Sequence, residues 1–144
     1  MENQKVREIE NKKNSLKRYR KNLACLARLE EKLKVLDERI KSVRSPNYSG
    51  MPRGSTPITT EDLLADKEEL ETRVKRLRSR SRKLKLEILA EIDTLEDDRY
   101  CEILEAHFID GYTLEKVADI MGYTERHIYS LYKKALVNLT KKSV

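Results

Sequence analysis

A chain of 144 residues with 39% charged and 38% hydrophobic side chains, one Phe and no Trp can fill one or two small domains but no thick globular core. A composition dominated by Glu, Lys, Arg and Leu, with only four Gly and three Pro, points to long helices and coiled coils. No apolar run approaches the ~18 residues that cross a bilayer and no apolar leader follows Met1, so the chain is expected to work in the cytoplasm with no membrane partner.

Residues 1–44 read as one helix. Neither Gly nor Pro occurs in 2–44, and Leu16, Tyr19, Leu23, Leu26, Leu29, Leu33, Leu36, Ile40 and Val43 recur in steps of 3, 4, 3, 3, 4, 3, 4 and 3. That is a heptad seam with one skip near Leu26–Leu29. Val6 and Ile9 continue it weakly, and Lys12 or Lys13 stands where the next seam residue belongs, so the first turns are expected to fray.

Segment 45–60 holds all three prolines (Pro46, Pro52, Pro57) and two of the four glycines (Gly50, Gly54), the signature of a flexible linker. A second coiled-coil helix follows over 61–95, capped by Thr59 or Thr60, with Glu61 and Asp62 in its first turn where negative charge suits the helix dipole. Its seam is Leu63, Lys67, Leu70, Val74, Leu77, Ser81, Leu84 and Ile88, with polar residues at two positions. Two long amphipathic helices joined by one loop should fold back as an antiparallel hairpin, each seam buried against the other or against a second chain. Burial yields only ~25 cal/mol per Å², so two helices alone gain little, and a homodimer through this arm is the simplest expectation.

Residues 96–144 read as a separate DNA-binding domain. Asp97 or Asp98 can start a short helix that turns Tyr100, Ile103, Leu104 and Phe108 inward, and Gly111 ends it. From 113 onward the spacing is that of a helix-turn-helix. Val117, Ala118 and Met121 share a face, Gly122 supplies the turn, and Ile128 and Leu131 face inward from the next helix. Ala118 is small where the second helix crosses close above. Gly122 can take positive φ without a Cβ penalty, and Thr113 and Thr124 stand at the two N-cap positions. The outward positions of the second helix are Arg126, Tyr129, Ser130, Lys133 and Lys134, which packing alone does not explain.

Charge is distributed unevenly. Residues 1–50 carry 14 basic and 7 acidic side chains (net +7), residues 61–94 carry 9 of each, and residues 95–144 carry 7 basic and 9 acidic (net −2). From Thr124 onward, however, five basic residues face one acid. Local basic patches of this kind attract polyanions, so double-stranded DNA is the expected partner. The most basic run is 74–85, where Lys75, Arg76, Arg78, Arg80, Arg82, Lys83 and Lys85 make seven of twelve residues. It reads either as a solvated coiled-coil face balanced by acids on the first helix or as a secondary phosphate-contacting surface.

The stretch LEDDRYCEILEAHFIDGYTLEKVADIMGYTERHIYSLYKKALVNL (95–139) resembles the promoter-reading region four of bacterial sigma factors, whose recognition helix commonly ends in a run like Lys134-Ala135-Leu136-x-x-Leu139. The arrangement of charged helical arm, Pro/Gly-rich loop and motif is similar to the late transcription regulators of Gram-positive bacteriophages, of the ArpU and RinA type. The resemblance to the sigma segment covers about the last 48 residues, and the match over the arm is compositional. It implies promoter binding near −35-like sequence and contact with bacterial RNA polymerase. Nothing matches the segments that melt the promoter or bind the polymerase clamp, so a full sigma factor is not implied. Tyr129 and Ser130 differ from the Arg and Gln often found at those positions, so the same target sequence is not implied either.

Individual residues then take expected roles. Arg126 suits bidentate hydrogen bonds to guanine O6 and N7. Glu125 can accept from cytosine N4 or simply favour the helix dipole. Tyr129 can meet a thymine methyl or a phosphate, Thr124 and His127 the backbone, Ser130 and Lys133 a phosphate or base edge, and Lys134 a phosphate. His107 has no plausible ligand partners and reads as structural. Cys25 and Cys101 are isolated, without CxxC or His at metal-ligand spacing, so no metal is expected. With no glycine-rich phosphate loop, nucleophile signature or paired His and carboxylate, neither an enzyme nor a cofactor is expected. The reading is a sequence-specific transcription regulator, dimeric and most simply a phage late-gene activator in the bacterial host cytoplasm. The alternative is a helical scaffold or adaptor that binds RNA polymerase or a phage assembly or DNA-packaging component.

Overall fold

A computed structural model describes residues 2–44 and 59–142. Among these residues the chain is all-α: α1 (Glu2–Arg44), α2 (Thr60–Ile92), α3 (Asp98–Leu104) running into a π-helical turn (Glu105–Ile109), α4 (Leu114–Met121) and α5 (Glu125–Lys142). This is the expected class, a long helical hairpin followed by a helix-turn-helix. The linker expected over 45–60 falls outside the described residues except for Thr59 and Thr60. Thr59 is the cap: its Oγ1 accepts from the Asp62 amide at 3.1 Å. At the other end α2 stops at Ile92 rather than near Leu95, because the last turn tightens, with the Leu95 amide donating to Ile92 O and the Thr94 hydroxyl to Glu91 O.

Residues 23–44 and 59–80 form one compact unit, a two-helix hairpin. Leu26, Leu29 and Val74 make its core, and Leu23, Cys25, Leu70 and Leu77 pack around them. Two ion pairs set the antiparallel sense: Arg78 meets Glu30 at 2.8 Å and Lys67 meets Asp37 at 2.7 Å. Both are partly exposed, so each contributes at most about 1 kcal/mol and chiefly selects the register. The polar seam residue Lys67 is thereby accounted for, as it sits half-buried beside Asp37 and also reaches Glu71. At the far end of the seam Val43 is exposed.

Residues 2–22 and 81–142 form the second unit, so the chain divides in space differently from its linear segments. The first turns of α1, expected to fray, are helical and belong to the same unit as the helix-turn-helix. Leu16 is 0% exposed, and Tyr19, Ile88, Ile92 and Leu95 are buried with it. Lys12 pairs with Glu91, which explains a lysine next to the seam. The physical reason for this partition is the small size of the motif. Three short helices of 7, 8 and 18 residues bury too little apolar surface alone, and the α1–α2 base supplies the rest.

Ser81, the second polar seam residue, is only 3% exposed and its Oγ has no hydrogen-bond partner among the described residues. Leaving a buried hydroxyl unpaired costs roughly 1–3 kcal/mol. Ser81→Ala is therefore expected to raise stability by about 1 kcal/mol in urea denaturation, and a loss of stability would show that the hydroxyl is paired.

Candidate nucleic-acid interface

The interface is built from short-range chemistry. Asp97 caps α3 by accepting from the Arg99 amide at 2.9 Å, and the Arg99 guanidinium folds back on its carboxylate. That hydrogen bond holds the Asp97 carboxyl below its ordinary range. Ile103, Leu104 and Phe108 are buried as expected, while Tyr100 is half-buried. The chain then widens into the π-helical turn, where the Asp110 amide reaches Glu105 O at 3.1 Å, and Gly111 reverses it at φ 82°. His107 is structural: its ring stands edge-on to Phe108 and Tyr132, and Nδ1 donates to Tyr112 O at 2.8 Å. Tyr132, absent from the sequence expectation, stacks on Phe108, and burial pushes its phenol up to about 12, with the charge of Glu10 adding to the shift.

The motif itself follows the spacing. Thr113 Oγ1 accepts from the Lys116 amide at 3.2 Å and starts α4. Val117 and Ala118 are buried, and Gly122 ends the helix at φ 75° with its amide donating to Ala118 O. Thr124 Oγ1 accepts from the His127 amide at 3.2 Å and starts α5, which buries Ile128, Leu131, Tyr132, Ala135, Leu136 and Leu139. A Cβ at Gly122 would meet nothing within 4 Å, so only the left-handed backbone requires glycine there. Gly122→Ala is expected to cost about 1 kcal/mol of unfolding free energy, and an unchanged denaturation midpoint would contradict the turn geometry.

The outward residues lie where the period puts them. Arg126, Ser130 and Lys133, stepping by 4 and 3, form an exposed stripe along α5, flanked by Lys134 and His127 on one side and by Tyr129 and Glu125 on the other. Among the described residues Arg126, Lys133 and Lys134 form no ion pair. His127 rests edge-on to Tyr123 at 5.0 Å between ring centres. Tyr129, 41% exposed, donates its hydroxyl to Glu115 Oε1 at 2.7 Å. That bond raises the phenol above its ordinary range and lowers the Glu115 carboxyl below its own. The hydroxyl proton of Tyr129 is thus committed to α4, and the ring and the accepting lone pairs of its oxygen remain for a partner. Glu115 was not singled out from the sequence, because the bond joins residues 14 apart and depends on how α4 and α5 cross.

The basic run of α2 divides between the units. Lys75, Arg76, Arg78 and Arg80 are exposed on the hairpin unit, Arg82 and Lys83 on the other unit. Of these six, only Arg78 forms an ion pair among the described residues, with Glu30 of α1. Nothing gathers into a metal site, as no group of three His, Cys, Asp or Glu among the described residues could hold an ion. Cys25 and Cys101 are free thiols, and burial pushes that of Cys101 up. No described helix is long and apolar enough to cross a membrane.

Residues 94–141 match the family model described as Sigma-70, region 4. The match takes in 48 of 144 residues, the whole of α3 to α5 except the last residue, and identifies this part of the chain as a DNA-binding helix-turn-helix connected with transcription. No curated protein and no solved structure matches the chain.

Proposed function

We propose that the protein is a sequence-specific regulator of transcription that binds double-stranded DNA at a promoter and acts as a phage late-gene activator in the bacterial cytoplasm. The observation that carries this is the outward stripe of α5. In a region-four-like motif it presents a guanidinium and ammonium groups that form no ion pair among the described residues. A helix-turn-helix lays its second helix in the major groove, with N-terminal residues at the base edges. Arg126 then reads guanine, the Tyr129 ring meets a thymine methyl, and Ser130 and Lys133 reach base edge or phosphate. Thr124, Glu125, His127 and Lys134 stand at the rims. The same likeness supports a contact with RNA polymerase.

Two half-sites about 34 Å or a multiple apart call for two copies. The seams of the hairpin are already buried against each other, so a homodimer through the arm uses its remaining surface, where Val35 is exposed. Nuclease footprinting on phage promoter DNA tests the function. Protection upstream of a start site is expected. Protection at a packaging site, or none, would move the protein to the scaffold or adaptor class.

A further inference from the structure

We propose that Lys17, Arg20 and Lys21 of α1 form a second backbone-gripping strip of the DNA-binding unit, holding the phosphates beside those met by α4 and α5. This rests on the DNA-binding function proposed above.

The helix-turn-helix is poor in the charge its task needs. Residues 81–142 carry 10 basic and 12 acidic side chains, a net of −2, whereas residues 2–22 carry 8 basic and 3 acidic, a net of +5. Both segments belong to the same compact unit. The net positive charge of that unit comes from α1.

Contacts trace a continuous surface from the recognition stripe to those cations. Tyr129 on α5 is bonded to Glu115 in the first turn of α4. Two residues before the Thr113 cap lies Gly111, whose absent side chain makes room for Arg20: a Cβ there would come within 2.5 Å of the guanidinium carbon. Arg20 Nη1 donates to Ile109 O at 3.3 Å, ending the π-helical turn. Lys17 is one turn before Arg20 and Lys21 follows it, and at i and i+4 the two lysines share a face. Lys17 is half-buried and Lys21 exposed, and neither they nor Arg20 form an ion pair among the described residues. By contrast Lys12, turned toward α2, is neutralised by Glu91.

In a bound helix-turn-helix the first helix crosses the DNA backbone, so whatever stands beside the start of α4 meets phosphate. Asp110 and Glu115, exposed at that point, would repel a phosphate by themselves, and the α1 cations offset them. A long lysine can pack its stem on the domain and carry its ammonium to the rim, as the half-buried Lys17 is placed to do.

The test is fluorescence anisotropy of the full chain on a labelled duplex of arbitrary sequence, titrated with salt. Each neutralised phosphate contributes ~0.9 to the slope of log affinity against log salt. Lys17→Gln/Lys21→Gln is expected to be shallower than wild type by roughly 1.8, or about twelve-fold over a fourfold change in salt. Lys17→Arg/Lys21→Arg is expected to keep the wild-type slope. Arg20 is left intact because it also serves Ile109 O. An unchanged slope in the Gln variant, or an equal fall in the Arg variant, overturns the strip and leaves the function standing. Failure of the wild-type chain to bind any duplex overturns both.

Discussion

Leu16→Ala is expected to lower the unfolding free energy by about 2–5 kcal/mol, a large share of the ~5–15 kcal/mol typical of a small domain. Leu16 lies on the long helix, 97 residues before Thr113, yet it is 0% exposed in the unit that contains the helix-turn-helix. Truncation removes three buried heavy atoms and leaves a cavity that rigid neighbouring helices cannot fully close. The loss should appear as weaker DNA binding as well as a lower urea midpoint, because the damaged core is the one that supports α4 and α5. Val6→Ala is the matched control, on the same helix but 64% exposed, and is expected to stay within about 0.5 kcal/mol of wild type. A Leu16→Ala loss no larger than that of the control would mean that α1 is not part of the domain core.

Arg126→Ala is expected to remove about 1–3 kcal/mol of discrimination at one base pair, roughly five- to 150-fold in relative affinity. Inside the chain Arg126 is exposed and forms no ion pair among the described residues, so the substitution should leave the urea midpoint unchanged. That separation of stability from specificity distinguishes a reading residue from a structural one. Arg126→Lys keeps the charge but loses the planar fork that pairs with guanine O6 and N7. It is therefore expected to retain the salt dependence and lose the base preference. Equal weakening on every sequence by Arg126→Ala would instead place the guanidinium on a phosphate.

Local signals carried far in this chain. Thr113, Gly122 and Thr124 act within three or four residues of themselves, and each takes the cap or turn role that its chemistry implies. The seams likewise placed Leu26, Leu29 and Val74 on facing sides of the hairpin. What a heptad pattern does not say is which partner buries a seam residue. Leu16 and Tyr19 look like a continuation of the hairpin seam but belong to the unit that holds the motif. The π-helical turn left no mark either, since an extra residue per turn is a response to packing around Phe108 and Ile109 rather than to local preference. Tyr132 was legible in principle: it sits four residues after the buried Ile128, on the same face. Glu115 and Arg20 were not, because both meet their partners across helix crossings.

Selection of bound fragments from a random duplex pool, run in parallel on the wild-type chain and on Arg126→Ala, tests the central claim most directly. The wild-type chain is expected to enrich one motif containing a G·C pair, and Arg126→Ala to enrich the same motif with that position relaxed. No enrichment by the wild-type chain, or an identical motif from the variant, would contradict the assignment of α5 as a base-reading helix with Arg126 at its centre.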